Sequence, residues 1–312
     1  MPDNCAGMRF DQVLARLLPE YSRSRLQEWI AAGHASLNGK PASTRQKVWG
    51  GVTVVIQPQL HPSAQSFLPE DIAFDIIYED DELLVVNKHA GLVMHPGSGN
   101  WEGTLLNALL HHAPQLENMP RAGIVHRLDK DTSGLLVVAK TLIAQTALVR
   151  QLQARSVKRE YLALVWGEVR HGGIVDAPIG RHPAQRVKMA VVEGGKLAVT
   201  HYQVEEQFSV PSTGSGQACT LLRCRLETGR THQIRVHMAY IGHPLVGDSV
   251  YMKGVQKCVP QLRDLLQGFP RQALHATRLA LEHPVNGAML EWHAPLPQDM
   301  EKLLQQVREA GR

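Results

Sequence analysis

The order of patterns along the 312-residue chain predicts an α+β protein in two parts. A small N-terminal α/β module, residues 1–58, precedes a large domain, residues 71–312, with a mixed, mainly antiparallel sheet. Three observations carry this. Helical periodicity near the N-terminus passes directly into a hairpin signal, Asn38-Gly39. Residues 59–70, with Pro62 and Pro69 among Ser and Gln, show no period and read as a linker. From residue 71 onward strands dominate, and helices do not follow each strand in turn as a doubly wound sheet requires.

The elements follow in order. Asp11 is placed to cap a first helix carrying Val13, Leu14, Leu17 and Leu18 on one face, stopped near Pro19. Ser22 opens a second helix, residues 22–32, with Leu26, Trp29 and Ile30 as its apolar stripe and Gly33 ending it. Arg23 and Arg25 sit in its first turn, where the helix dipole disfavours cations; phosphate contact and plain solvation are the two readings. Residues 35–40 turn at Asn38-Gly39, and a strand follows over residues 52–56. In the large domain the expected strands are residues 75–78, 83–88, 134–140, 159–165, 198–208, 220–227 and 274–281. The expected helices are residues 104–112, 142–154, 232–241 and 298–309.

Composition narrows the class. The chain is 44% hydrophobic and 20% charged, which suits a folded protein with a core and excludes disordered or fibrous types. No apolar run reaches the roughly 18 residues that cross a bilayer, and residues 1–12 lack a signal-peptide layout, so a cytoplasmic, non-membrane protein is expected. The four cysteines form no Cys-x-x-Cys pair, against structural zinc or a disulfide framework. The net charge of +4 conceals an uneven distribution. Residues 1–58 carry +3, residues 59–119 carry −8, residues 120–160 carry +5 and residues 161–312 carry +4. Basic strips flank an acidic one, as a nucleic-acid partner or an ordinary solvated surface would have it.

Chemistry concentrates in three segments. In Gly123–Gly134, an apolar approach leads into His126-Arg127-Leu128-Asp129-Lys130-Asp131-Thr132-Ser133 and then a strand. Cations around Asp129 favour its ionised form, which suits a nucleophile or base, while a turn-rich sequence of this kind is also simply a turn. The spacing differs by one residue from a kinase His-Arg-Asp loop, and no Gly-rich loop precedes it. Asp129 and Asp131 share one loop, a poor arrangement for the two carboxylates of a glycosidase. The second segment, Lys158–Val165, offers Tyr161 on a strand, as core or as a face toward a cleft. In the third, Glu227–His237, Thr231 can cap a helix, and Arg230 stands just before it at an anion-favouring end. His232 and His237 are about 140° apart on that helix, so a shared metal is not expected.

Two resemblances emerge from these residues. Tyr21-Ser22-Arg23-Ser24-Arg25 with Leu37-Asn38-Gly39-Lys40, on a helix pair and hairpin, resembles the S4 RNA-binding module over residues 9–56. The series Leu84–Lys88 with Gly91-Leu92-Val93, His126–Gly134, Arg159-Glu160-Tyr161, Gly229–His237 and Gly242–Asp248 resembles the RluA-type family of pseudouridine synthases. The second likeness spans residues 9–309. Pro120–Gly123, Ile179–Pro183 and Trp292–Pro295 look closest to the family's D-type branch, which acts on large-subunit (23S) ribosomal RNA.

The resemblance implies the pseudouridine synthase fold and conversion of uridine to pseudouridine, with helix 69 of that RNA as the expected target. It implies Asp129 as the catalytic aspartate acting on a flipped uridine, Tyr161 as the ring stacked on uracil and Arg230 as the arginine paired with Asp129. Arg127 would fill the space left by the flipped base. His126, Arg23, Arg25 and Lys40 are further candidate RNA contacts. The reaction is an isomerisation, so neither cofactor nor metal is expected. The expected partner is large-subunit ribosomal RNA or a pre-ribosomal particle, with no membrane and no obligate protein partner. His89 and Ser249 stand where the family commonly has Pro, and residues 211–217 form an insert.

Overall fold

The computed structural model describes residues 5–18, 23–57, 67–97, 99–185, 187–208, 219–252 and 260–310, without the side chains of Ser24, Arg25, Pro260 and Gln261. The chain divides into two compact units, Met1–Ser66 and Phe67–Arg312.

In the first unit, α1 (Phe10–Leu17) and α2 (Arg23–Ala31) lie against a three-stranded antiparallel sheet of β1 (Ala35–Leu37), β2 (Lys40–Pro41) and β3 (Val54–Ile56), ordered β2-β1-β3. Phe10, Val13, Leu14, Leu26, Trp29, Ile30 and Leu37 form its core. The β1–β2 turn has positive φ at both Asn38 and Gly39 (50° and 74°), the backbone that matches the right-handed twist of the strands.

Two expectations are corrected in this unit. Asp11 does not cap α1; Arg9 holds that position. The Asp11 carboxylate is fully buried and accepts hydrogen bonds from Arg9, Arg23 and Gln27. Arg23 therefore tolerates the first turn of α2 because it neutralises a buried carboxylate 2.7 Å away, a structural reason that sequence spacing did not reveal. Lys40 is exposed on β2, the side chain of Arg25 lies outside the described residues, and so does Ser22.

The second unit is organised by a nine-stranded sheet. Its strands are β4 (Asp75–Glu79), β5 (Leu83–Lys88), β6 (Ser133–Ala139), β7 (Lys158–Trp166), β8 (Gly173–Asp176), β11 (Val199–Phe208), β12 (Cys219–Leu226), β13 (Leu274–Glu282) and β14 (Met289–His293). A separate ribbon pairs β9 (Ile179–Arg181) with β10 (Met189–Val191). The main order is β4-β5-β6-β13-β7-β12-β11-β8, with β14 also on β13. Every pairing is antiparallel except β6 with β13. This is the expected mixed, mainly antiparallel sheet.

The helices are α3 (Leu105–His112), α4 (Leu142–Gln153), α5 (Gln233–Tyr240), α6 (Pro260–Gln267) and α7 (Gln298–Ala310). Side-chain alternation on β7 divides the core. Leu164 and Trp166 join Leu262, Leu266, Leu303 and Leu304 of α6 and α7. Tyr161, Ala163 and Val165 join the larger cluster with β5, β6, α3 and α4. β8, β9, β10, β14 and α6 were not anticipated; four of these are strands of three to five residues, too short to display a period.

Part of the expected linker belongs to this unit. Phe67 packs on its core, Leu68 accepts a hydrogen bond from Asn107, and Glu70 binds the Gly103 amide. The insert at residues 211–217 lies outside the described residues.

Candidate active site

The loop entering β6 is held by its backbone, which leaves its side chains available. Leu128 is buried beneath it. Asp129 O accepts from Thr132 N at 3.0 Å, closing a turn. Lys88, with no exposed surface, donates from Nζ to Lys130 O, His89 O and Leu92 O at 2.8–3.0 Å. Arg271 donates to Asp131 O while its other nitrogens grip Asp299. Burial pushes the Lys88 ammonium down to about 7, against the pull of Asp131 and Asp129. At the end of the turn Gly134 has φ +112°, and a Cβ there would stand 2.2 Å from Ala276 O, so only glycine lets β6 approach β13.

Asp129 is thereby presented to α5. Its Oδ2 accepts from Arg235 Nη1 at 3.1 Å, and its side chain keeps 14% of its exposure. Arg235 binds the buried Asp248 through Nε and Nη2 at 2.7 and 3.0 Å. Asp248 in turn accepts from Val250 N and Tyr251 N. Burial disfavours the Arg235 charge, but bonds to Asp248 and the two carboxylate charges outweigh it and raise its pKa. The Tyr251 ring lies under this guanidinium, 5.1 Å from centroid to Cζ.

His232 completes the floor. Tyr251 Oη accepts from Met189 N and shares a 2.7 Å hydrogen bond with His232 Nδ1. The histidine Nε2 lies 3.8 Å from Asp129 Oδ1.

The arginine assignment is corrected by this geometry. Arg230 is exposed and donates to Leu197 O at 2.9 Å; Arg235, five residues on, is the one that meets Asp129. The reason is local. Thr231 does not cap α5; His232 does, with φ 58°, and this left-handed residue reverses the chain so that Arg230 points outward. Gln233, bound to Thr228, Arg230 N and Val199 O, locks that reversal.

His126 is partly exposed and lines the cleft, but offers no ring nitrogen for a polar RNA contact. Its Nε2 accepts from Val137 N at 3.1 Å and its Nδ1 is sealed from solvent. Burial, with the Arg159 charge, pushes its pKa down to about 3. His126 is thus neutral. Arg127, beside it, is exposed. Tyr161 is 5% exposed, and burial raises its pKa.

These groups line one cleft of about 940 Å³ within the second unit, with Asp129, Tyr161 and Arg235 inside and Arg121, Arg127, Arg155 and Arg230 along its lining. A carboxylate fixed by a buried guanidinium, beside an aromatic ring and below exposed arginines, can act on one unit of a polyanion drawn into the cleft.

A family model for RNA pseudouridylate synthase matches residues 82–240, more than half of the chain. The chain belongs to the pseudouridine synthase family. It is therefore an enzyme of RNA uridine isomerisation, and an S4 domain model matches residues 8–54 of its first unit. It is 57% identical over 308 residues to Ribosomal large subunit pseudouridine synthase D of Nitrosomonas europaea, covering 99% of this chain and 87% of that one. It is 52% identical over 313 residues to the protein so named in Escherichia coli K12, covering 98% and 92%. Among solved structures, human RNA pseudouridylate synthase domain containing 4 is similar at 28% identity and a TM-score of 0.57, over 75% of this synthase and 93% of that chain.

Proposed function

We propose that this synthase isomerises uridines of large-subunit (23S) ribosomal RNA to pseudouridine, within the helix 69 stem-loop, acting in the cytoplasm on free RNA or a pre-ribosomal particle. The observation that carries the substrate is near full-length similarity, at 52–57% identity, to relatives whose names specify the ribosomal large subunit.

In this reading the target uridine leaves its stack, at a cost of a few kcal/mol, and enters the cleft against the Tyr161 ring. Asp129 is the reacting carboxylate. Arg235 keeps it ionised and oriented, and Asp248 keeps Arg235 in place. Arg127, exposed at the mouth, occupies the space the base vacates. The N1–C1′ bond is broken, C5 is joined to C1′, the C5 proton is lost and N1 gains one, so the net change is an isomerisation. The exposed Lys40 of the S4 domain adds phosphate contact. The test is to incubate unmodified large-subunit RNA with the native protein and map the product. Pseudouridine confined to helix 69 is the expected result; product only elsewhere, or only in transfer RNA, contradicts the assignment.

A further inference from the structure

One buried cation in the cleft is left unused by that reading. Arg159 lies two residues before Tyr161 on β7, on the same face, and lines the same cleft. It is 6% exposed. Its Nε is buried without a partner, and its guanidinium makes no hydrogen bond or ion pair with the described residues. A buried guanidinium ordinarily costs several kcal/mol unless paired. Burial lowers its pKa accordingly.

The neighbours explain why no protein group has satisfied it. The Nε2 of His126 is already taken by Val137 N–H, and Arg159 itself helps keep that ring neutral. Asp129 is committed to Arg235. Glu160 points to the opposite face of β7, where Arg223 and Arg278 hold it. On the cleft side Gly229 abuts the guanidinium: a Cβ there would stand 2.8 Å from Arg159 Nη1.

We propose that Arg159 is the receptor for an anionic oxygen of the extruded nucleotide, and hence a catalytic residue. The inference rests on the isomerase reading. When N1–C1′ breaks heterolytically, the bonding pair stays on the base, and uracil becomes an anion with charge shared by O2 and O4. C1′ is left short of that pair, and the charge persists until C5 donates a pair to C1′; the C5 proton then leaves and N1 gains one. A fixed guanidinium beside the ring platform stabilises charge that appears only after bond cleavage, which is where binding energy accelerates a reaction. A phosphate oxygen flanking the extruded uridine is the other source of the same chemistry.

Arg159→Met keeps the unbranched stem of the side chain and removes the guanidinium and its charge. Single-turnover tritium release from RNA labelled at uridine C5 should fall by about 100-fold or more, the scale of losing one preorganised oxyanion donor. Arg159→Lys should recover part of it. Gly229→Ala, which needs no unusual backbone, should lower the rate by displacing the guanidinium. A loss in the rate at saturating RNA with unchanged Kd assigns the oxygen to uracil. A weaker Kd with a shallower salt dependence assigns it to phosphate.

Stability supplies an independent readout. Removing an unpaired buried charge should leave Tm unchanged or raise it. A lower Tm for Arg159→Met identifies a structural role and overturns the inference, whatever the activity. Native rate and Kd in Arg159→Met also overturn it. Failure of the native protein to release tritium sinks the isomerase reading instead, and the Tm comparison still decides whether Arg159 is structural.

Discussion

Arg235 reaches Asp129 at 3.1 Å with one nitrogen while its other two are bound to Asp248. The guanidinium therefore arrives already oriented, and the loop carboxylate meets a cation that does not move.

This arrangement predicts opposite outcomes for two arginines in one segment. Arg235→Met strands the buried Asp248 charge, so it should cost about 3–5 kcal/mol in denaturant unfolding and abolish tritium release. Arg235→Lys retains charge but loses the fork and should remain well below native activity. Arg230→Ala, which loses a bond to Leu197 O, should stay within about tenfold in rate constant because it removes no catalytic donor. Equal losses at both positions would contradict the assignment.

Gly134→Ala should be among the most damaging small substitutions. It places a methyl against Ala276 O and forces alanine to φ +112°. Overpacking and backbone strain together should cost about 3 kcal/mol or more, read as a drop in Tm. Wild-type stability would mean that β6 and β13 can separate without cost.

Acid stability has a predictable sign. His95, His126 and His275 are held neutral by burial, pushed down to about 4, 3 and 4. The unfolded chain takes up protons on them below about 6.5 while the folded chain does not, so unfolding gains protons as pH falls. Between pH 6.5 and about 4 stability should decline, each of these three contributing a slope that approaches one proton, or about 1.4 kcal/mol per unit. Replacing His275 by Asn should remove one proton from that slope, measured by urea unfolding across pH. An unchanged slope contradicts the account.

The S4 domain carries a modest electrostatic prediction. Lys40→Ala should weaken RNA binding and reduce the slope of log K against log salt by about one phosphate contact, leaving the rate at saturating RNA unaltered. An identical salt slope removes Lys40 from the interface.

Much of the architecture was legible because the long elements have strong periods: β5, β6, β7, β11, β12 and β13 lie within a residue or two of expectation. The Asp129 loop was legible from its polar density between apolar stretches. Arg235 was not, because a helix-end argument favours the nearer Arg230 and takes no account of the left-handed turn at His232. Its signal was present: an arginine between Ile234 and Val236 in a helix buried over residues 233–238 demands a counter-charge. The Asp11–Arg23 pair is hidden in the sequence for a related reason. Their pairing joins positions twelve apart, and no helical or strand period reports such a contact. Arg159 stands out in the sequence only as part of a motif, since its lack of a partner is visible only in three dimensions.

On the proposed reading, Asp129 performs the chemistry in this cleft. The most direct measurement is single-turnover tritium release from large-subunit RNA labelled at uridine C5, comparing the native protein with Asp129→Asn at matched RNA occupancy. Release by the native protein and none by the variant is expected, with similar RNA affinity and Tm for both. Release by Asp129→Asn at the native rate, or tight binding by the native protein without any release, would contradict that reading.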